Sequence, residues 1–164
     1  MVKSFKFTIE IGDLMRRTET RFEDLRKDRE LKQKDIAKVL NVLEDRYSKW
    51  ERGIDDIPLV KSNELANFHK VSLDYLLGLS DVNSKTEKKE INLKLLCERL
   101  LELRKENGLT QKQLGNKVGF SQTTYSGYEN GTSVPTTFKV YYIALFYGVS
   151  FDYLVGRTNK KKIK

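Results

Sequence analysis

Several residue types are scarce in this chain of 164 residues. It has one cysteine, Cys97, and one histidine, His69, so an intrachain disulfide cannot form and a metal site built from several such ligands is excluded. No stretch of about 18 apolar residues is present, and we therefore expect no membrane-spanning helix. The N-terminal stretch MVKSFKFTIEIGD lacks the continuous apolar segment of a secretion signal, which favours a cytoplasmic protein.

Features of enzymes are also missing from the sequence. No nucleophile has a histidine in a matching pattern, no metal-ligand cluster is visible, and no glycine-rich loop has the spacing that cradles phosphates. We therefore expect no catalytic activity and no cofactor, and no small-molecule ligand is evident.

Positive charge is present in excess, and it is unevenly distributed. The formal net charge is +8. Residues 1–82 carry 16 basic and 16 acidic side chains, whereas residues 83–164 carry 15 basic and 7 acidic ones. A basic half attracts polyanions, and nucleic acid is the first candidate.

The chain repeats itself with an offset of 78 residues. LRKDRELKQKDIAKVL (25–40) aligns with LRKENGLTQKQLGNKV (103–118), and VSLDYLLG (71–78) aligns with VSFDYLVG (149–156). From 25 to 78 no gap is needed, and 19 of the 54 paired positions are identical. The protein therefore consists of two copies of one small domain, here called copy one (20–80) and copy two (92–158).

Turn and capping residues divide each copy into short helices. In copy two, Asn107 and Gly108 are typical of a helix end, and Thr110 with Gln113 forms a capping-box pattern at the start of the next helix. Ser121 is a suitable N-cap for a third helix, QTTYSGYE. Two helices joined by a short turn within a small helical domain predict a helix-turn-helix arrangement.

These stretches resemble a known family. LTQKQLGNKVGFSQTTYSGYENG, followed by a proline and ALFYGVSFDYLVG, resembles the lambda-repressor-like helix-turn-helix domains, of Xre and Cro type, in phage and bacterial repressors. LKQKDIAKVLNVLEDRYSKWERG with ELANFHKVSLDYLLG resembles a second such domain. The resemblance implies an all-α fold of two tandem five-helix domains.

We expect five segments along the chain. They are an N-terminal arm (1–19), helix-turn-helix domain 1 (20–80), a linker (81–91), helix-turn-helix domain 2 (92–158) and a basic tail (159–164). In the arm, Phe5, Phe7, Ile9 and Ile11 alternate with polar residues, which is a strand pattern. Pairing with the same strand of a second chain and a frayed or helix-packed arm both remain open.

The resemblance also implies DNA contacts in copy two. The third helix would present its N-terminal turn to base edges, where a glutamine can bridge N6 and N7 of adenine and a threonine methyl can touch the thymine methyl. The start of the second helix and the end of the third would contact phosphates. The expected DNA-binding residues of copy two are Gln111, Lys112, Ser121, Gln122, Thr123, Thr124, Ser126 and Asn130.

Copy one departs from this pattern. Glu44 and Asp45 stand where copy two has Gln122 and Thr123, and carboxylates there repel phosphates. The expected DNA-binding residues of copy one are Gln33, Arg46 and Lys49. Two hypotheses stay open: both copies bind half-sites about 34 Å apart, or copy one has lost strong DNA binding and serves in dimerisation or partner contact.

Other aligned positions suggest structural roles. By resemblance, Arg26 with Glu51 and Arg104 with Glu129 are expected to form ion pairs within each domain. On the fourth helix of copy two, Phe138, Tyr142 and Phe146 recur at four-residue steps. This aromatic stripe is either an exposed interface for assembly or is buried against copy one.

The sequence thus predicts a cytoplasmic, sequence-specific double-stranded DNA-binding transcriptional regulator. A repressor of phage or mobile-element type that blocks polymerase by occupying an operator is the favoured interpretation, and a homodimer is possible. The alternative is an antitoxin-like or protein-interaction module in which domain 1 mediates dimerisation or binds a partner.

Overall fold

The computed structural model describes residues 20–163, and within that range the chain contains ten α-helices and no strand. The all-α prediction is therefore confirmed, with five helices in each copy. The predicted β-strand arm, residues 1–19, lies outside the described residues. No helix within the described range is long and apolar enough to cross a membrane.

Copy one contains the first five helices. They are α1 (Phe22–Lys27), α2 (Gln33–Val39), α3 (Glu44–Glu51), α4 (Leu59–His69) and α5 (Leu73–Leu76).

Copy two contains the other five. They are α6 (Leu93–Glu106), α7 (Gln111–Val118), α8 (Gln122–Asn130), α9 (Thr137–Tyr147) and α10 (Phe151–Leu154). Helix α6 has 14 residues, and its counterpart α1, within the described residues, has 6.

Local sequence explains the helix boundaries of copy two. The Asn92 side chain accepts a hydrogen bond from Leu95 N at 3.0 Å and starts α6. Thr110 Oγ1 accepts from Gln113 N at 3.1 Å while Gln113 Oε1 accepts from Thr110 N at 2.9 Å, which is the predicted capping box at the start of α7. Gly119 ends α7 with φ of 77°, a backbone conformation that glycine adopts without strain.

Each copy has an aromatic residue at the centre of its core. Tyr47 in α3 and Tyr125 in α8 occupy equivalent positions and are both fully buried. Around Tyr125, Leu96, Leu100 and Leu103 of α6 are buried at helical spacing. Burial of these side chains fixes α8 against α6, and each of them stabilises the fold by about 1.5–3 kcal/mol.

The two copies are in direct contact at the start of α9. Thr137 N donates to Ile57 O at 3.2 Å, the Thr137 hydroxyl donates to Ser62 Oγ at 2.9 Å, and Phe138 N donates to Asp56 Oδ1 at 3.1 Å. Phe138 is 3% exposed. Val60, the equivalent residue of copy one, is half exposed. The position is therefore not buried by the fold of one copy alone, and the contact between the copies accounts for the burial of Phe138.

The aromatic stripe on α9 is therefore largely buried inside the chain. Tyr142 is also buried, and Phe146 is half-buried. The sequence allows this stripe to be either an exposed interface for assembly or buried against copy one. Phe138 and Tyr142 agree with the second alternative.

A second contact between the copies joins α5 to α10 through two equivalent aspartates. Asp152 Oδ2 accepts from Asp74 N at 2.8 Å, and Asp74 Oδ1 accepts from Phe151 N at 2.6 Å. Asp74 Oδ2 also accepts from the Ser150 hydroxyl at 2.5 Å. Each copy thus supplies a carboxylate to the backbone of the other, which gives the contact an approximate two-fold symmetry.

The aspartate contact places two carboxyl groups in a buried interface. Burial, and then the negative charge of Asp152, raise the pKa of Asp74 to about 6. Protonation of Asp74 therefore favours this contact, because it removes the repulsion between the two carboxylates.

Arg157 closes the same interface. Its side chain is fully buried, its Nη1 lies 3.4 Å from Asp152 Oδ1, and its Nη2 donates to Asn67 Oδ1 and Val71 O, both at 3.4 Å. Burial lowers the pKa of Arg157. Because Arg157 follows α10 while Asn67 and Val71 belong to copy one, it ties the end of copy two to α4.

The segment between the copies is bound along copy one. The Asn63 and Asn67 side-chain amides both donate to Lys89 O, at 3.1 and 2.8 Å, and Lys89 N donates to Asn67 Oδ1 at 3.1 Å. Thr86 N donates to Lys70 O at 2.9 Å. These bonds attach residues 86–89 to copy one, so this part of the linker has a defined position.

Candidate nucleic-acid interface

Helices α7 and α8 form the helix-turn-helix of copy two. A short turn from Gly119 to Ser121 joins them. The two helices approach closely at Gly115, where a Cβ atom would lie 2.6 Å from Phe120 O. Glycine at this position therefore lets the turn lie directly against α7 and fixes how α8 is presented.

Helix α8 has one buried and one exposed face. Tyr125, Tyr128 and Glu129 are buried. The opposite face begins with Gln122 and Thr123, which are exposed. Their side chains form no hydrogen bond with any residue of 20–163, so these amide and hydroxyl groups remain open to solvent at the start of the helix.

The neighbouring predicted residues are engaged within the helix. Ser121 Oγ accepts from Thr124 N at 3.0 Å and lies 2.8 Å from Thr124 Oγ1, so both hydroxyls take part in the N-cap. Asn130 Nδ2 donates to Ser126 Oγ at 3.1 Å. Ser121 and Asn130 are exposed, whereas Thr124 and Ser126 are half-buried.

At the start of α7 the two predicted residues differ in their surroundings. Lys112 is exposed. Gln111 is half-buried, and its Nε2 donates to Glu129 Oε2 at 2.9 Å. Gln33 of copy one makes the equivalent bond to Glu51 at 2.9 Å. Each glutamine thus connects the second helix to the third, and the backbone N–H groups at the helix start remain available for an anion.

Each copy contains a bidentate ion pair beneath the third helix. Arg104 Nε and Nη2 donate to the two Glu129 oxygens at 2.6 and 2.9 Å, and Arg26 makes the same pair with Glu51, both bonds at 2.8 Å. Nη1 of Arg104 also donates to Leu109 O at 2.8 Å. The pair joins the first helix to the third and to the loop before the second.

The charge state of the ion pair follows from its contacts. Burial, the largest influence, raises the pKa of Glu129, but hydrogen bonds from Arg104 and Gln111 outweigh it and the pKa is lowered. The same balance lowers the pKa of Glu51. Both glutamates are therefore ionised at neutral pH, and the pair holds α3 and α8 at a fixed angle to their domains.

In copy one the corresponding surface is different. Leu43 is the N-cap residue of α3, makes no side-chain cap and is 78% exposed. Glu44, Asp45 and Arg46 are exposed, and Lys49 pairs with Asp45 at 2.9 Å. The hydrogen bond from Lys49 lowers the pKa of Asp45. The lysine charge is thus matched by a carboxylate on the same helix.

Two further apolar residues of copy one are exposed, one at the end of α2 and one after α3. Val39 is 48% and Ile54 56% exposed. They align with Lys117 and Thr132 of copy two. The helix-turn-helix surface of copy one therefore carries apolar side chains where copy two has polar or basic ones.

Sequence reasoning missed the residues that join the copies. Asp74 and Asp152 lie inside the repeated motif, and the resemblance assigns them no role, although an acid within an apolar stretch is a detectable signal. Nothing in the sequence indicates that Arg157, whose counterpart is Leu79, would be buried.

The geometry of two helix-turn-helix units in tandem agrees with the comparisons to known proteins. The helix-turn-helix family HTH_3 matches the chain twice, at residues 22–76 and 100–154. The chain therefore belongs to this family, the lambda-repressor-like or Xre-type helix-turn-helix proteins.

Three relatives illustrate the family. The uncharacterised HTH-type transcriptional regulator YobD of Bacillus subtilis is 40% identical over 65 residues, which is 40% of this chain and 58% of the relative. The HTH-type transcriptional regulator ImmR of the same species is 36% identical over 77 residues, 47% of this chain and 60% of the relative. The cryptic phage CTXphi transcriptional repressor RstR of Vibrio cholerae is 36% identical over 62 residues, 38% of this chain and 56% of the relative.

Each match covers only part of this chain and only part of the relative. The chain spans less than two thirds of the length of each of these three relatives. No solved structure matches the chain. Among residues 20–163 no group of three His, Cys, Asp or Glu side chains is placed to hold a metal ion.

Proposed function

We propose that this protein is a sequence-specific double-stranded DNA-binding transcriptional regulator, of the repressor type named among its relatives. The observation that carries the proposal is the exposed start of α8, where Gln122 and Thr123 lie open while Tyr125 and Tyr128 anchor the helix in the core. An anchored helix with an exposed polar edge has the form that major-groove recognition requires.

The charge of this edge favours recognition of base edges over general attraction to the phosphate backbone. The segment 119–131 has one acidic and no basic residue, so its attraction to phosphates is weak. Amide and hydroxyl groups discriminate between base edges, whereas lysine holds any sequence. Lys112 and Asn130, exposed on either side of the edge, would contact phosphates and set the register.

We further propose that the two copies act as one DNA-binding unit. The approximate two-fold contact between α5 and α10 resembles the self-complementary contact of a symmetric dimer, although both halves belong to one chain. Copy two would take a strong half-site, and copy one, through Gln33 and Arg46, a weaker one about one helical turn away, roughly 34 Å.

The organisation into an arm (1–19), two domains (20–80 and 92–158), a linker (81–91) and a basic tail (159–164) is part of this proposal. As a regulator that meets its operator on the chromosome or on a mobile element, the protein would act in the cytoplasm. A second chain is not required for two half-sites, so a homodimer would bind a longer operator.

A second candidate function rests on the exposed apolar residues Val39, Leu43 and Ile54. An apolar surface at the position of a recognition edge fits contact with another protein better than contact with DNA. In this alternative, copy two binds DNA while copy one binds a partner protein.

Selection from random duplex DNA with the whole chain tests the proposal. Gln122→Ala should relax the preference at one base position by about 1–3 kcal/mol, whereas Lys112→Ala should weaken binding to all sequences and reduce the salt dependence. Asn83→Ala, which removes an exposed amide in the linker, is the matched control. An unchanged preference profile for Gln122→Ala would refute the placement of the reading edge, and a one-box motif would favour the second candidate.

A further inference from the structure

A cavity of about 270 Å³ lies between the two copies, away from the helix-turn-helix surfaces. Its walls come from four parts of the chain: the start of α5, the linker, the start of α10 and the tail. Three lysines belong to these walls, Lys89 from the linker and Lys160 and Lys162 from the tail.

The three lysines carry unbalanced charge. None forms an ion pair with any residue of 20–163, whereas their neighbours Lys88 and Lys161 pair with Glu90 at 3.3 Å and with Glu106 at 2.7 Å. All three are exposed. Three such ammonium groups around one cavity would attract an anion.

The backbone holds these lysines in position. Lys89 N and O are both hydrogen-bonded to copy one, so its Cα is fixed while its side chain is free to reach the cavity. In the tail, Lys161 O accepts from Ser150 N at 2.9 Å and the Lys161 side chain turns to Glu106. Lys160 and Lys162, on either side, line the cavity together.

Two wall hydroxyls have a hydrogen left to donate. Ser72 Oγ accepts from Tyr75 N at 3.1 Å, and Thr158 Oγ1 accepts from Lys160 N at 3.3 Å. Neither hydroxyl donates to an acceptor among residues 20–163. An oxygen that accepts one hydrogen bond can still donate its own, so both hydroxyls favour a ligand rich in acceptors.

The carboxylates in the wall are already occupied. Asp74 accepts from Ser150 Oγ and Phe151 N, and Asp152 accepts from Asp74 N and pairs with Arg157. Asp152 is balanced by Arg157, and among residues 20–163 Asp74 is the one carboxylate of the wall without an ion pair. Three lysines face this single unbalanced carboxylate, so the net charge that a ligand meets is positive.

We propose that this cavity binds a small phosphorylated anion, one with one or two phosphate groups, held by Lys89, Lys160 and Lys162 with Ser72 and Thr158 as donors. The volume of the cavity, near the lower end of ligand sites, suits a small ligand. Because the walls belong to both copies, the linker and the tail, an occupied site holds the two copies in their present arrangement. The site is separate from the proposed DNA-binding edge.

The test uses the full chain, without DNA, and pyrophosphate as the probe, with sodium chloride matching the ionic strength. Isothermal titration should give saturable binding at one site per chain. The triple variant Lys89→Gln, Lys160→Gln, Lys162→Gln should bind at least tenfold more weakly. The control triple Lys38→Gln, Lys105→Gln, Lys117→Gln removes the same charge from exposed positions outside the cavity walls and should bind within twofold of the wild type.

A variant that keeps the charge distinguishes a built site from general attraction. Thr158→Val retains shape and removes one donor, and we expect binding about tenfold weaker, whereas Thr132→Val, on an exposed loop, should have no effect. Equal losses in both triple variants, or no saturable binding by the wild type, would overturn the proposal. Displacement of pyrophosphate by a random-sequence duplex would overturn it too, because the lysines would then hold the DNA backbone.

Discussion

At the scale of single residues, the exposed edge of α8 and the residues beneath it have separate tasks. Gln122 and Thr123 are open, whereas Tyr125, one turn further on, and Glu129, two turns further on, are buried. The helix can therefore keep its orientation while the edge contacts DNA, since the buried ion pair and Gln111 hold it from below. Rigid support of this kind reduces the entropy lost on binding.

His69 gives a prediction on pH and stability. Its side chain is buried in α4, and burial, with the nearby Arg29 charge as a smaller cause, lowers its pKa to about 4. The folded state therefore resists a proton that the unfolded chain takes up near pH 6.5. Stability contributed by neutral His69 is present above pH 6.5 and is lost as the pH falls from 6.5 towards 4.

The measurement is urea denaturation at pH 7 and pH 5. His69→Phe should reduce the loss of unfolding free energy between these values by about 1–2 kcal/mol. Lys70→Gln, an exposed neighbour, is the control. An equal loss in the wild type and His69→Phe would show that His69 titrates normally.

Which individual residues matter could be inferred from sequence only in part. The resemblance indicated the positions of Gln122, Arg104 and Glu129, because each matches a family position. It did not indicate that the Gln111 amide bonds to Glu129, which depends on how α7 and α8 pack. Side-chain partners across a tertiary contact are not determined by local spacing.

At the scale of helices, the two copies differ at the start of their third helix. Ser121 caps α8 with a hydrogen bond to Thr124 N, whereas Leu43 leaves α3 without a side-chain cap. An uncapped start leaves backbone N–H groups to water and is less stable.

This difference predicts opposite effects of two substitutions. Ser121→Ala should lower the unfolding free energy by about 1 kcal/mol, and Leu43→Ser should raise it by about 0.5–1 kcal/mol. Chemical denaturation of both variants checks the pair. A Leu43→Ser protein that is less stable than the wild type would contradict the expectation that a serine cap stabilises the start of α3.

The helices themselves could be predicted well. The caps Thr110, Ser121 and Ser150 and the terminal glycines define boundaries by local chemistry, and all three caps are present. The burial of Phe138 and Tyr142 could not be decided from sequence, since it depends on copy one being nearby. Local patterns show that a face is apolar but do not identify its partner.

At the scale of the whole molecule, the two copies form a continuous unit. Their contacts include the aspartate pair of α5 and α10, the start of α9 and the buried Arg157. The linker follows copy one through Asn63 and Asn67. We infer that neither copy reorients freely against the other.

Coupled copies should unfold together. Trp50, the single tryptophan, is buried in copy one and reports that copy by fluorescence, while far-ultraviolet circular dichroism reports helices of both. We expect coincident urea transitions for the wild type and separated ones for Arg157→Met. Separated transitions in the wild type would mean that the contact between the copies is weak.

The most direct test of the central claim replaces a single nitrogen of the DNA by a C–H group. The duplex obtained by selection is resynthesised with 7-deazaadenine at the adenine whose preference depends on Gln122, which deletes the N7 acceptor from the major groove. Wild-type protein should lose about 1–3 kcal/mol of binding free energy, and Gln122→Ala should lose almost nothing further, because the two changes remove one contact. Equal losses for both proteins would contradict the placement of the α8 edge in the major groove.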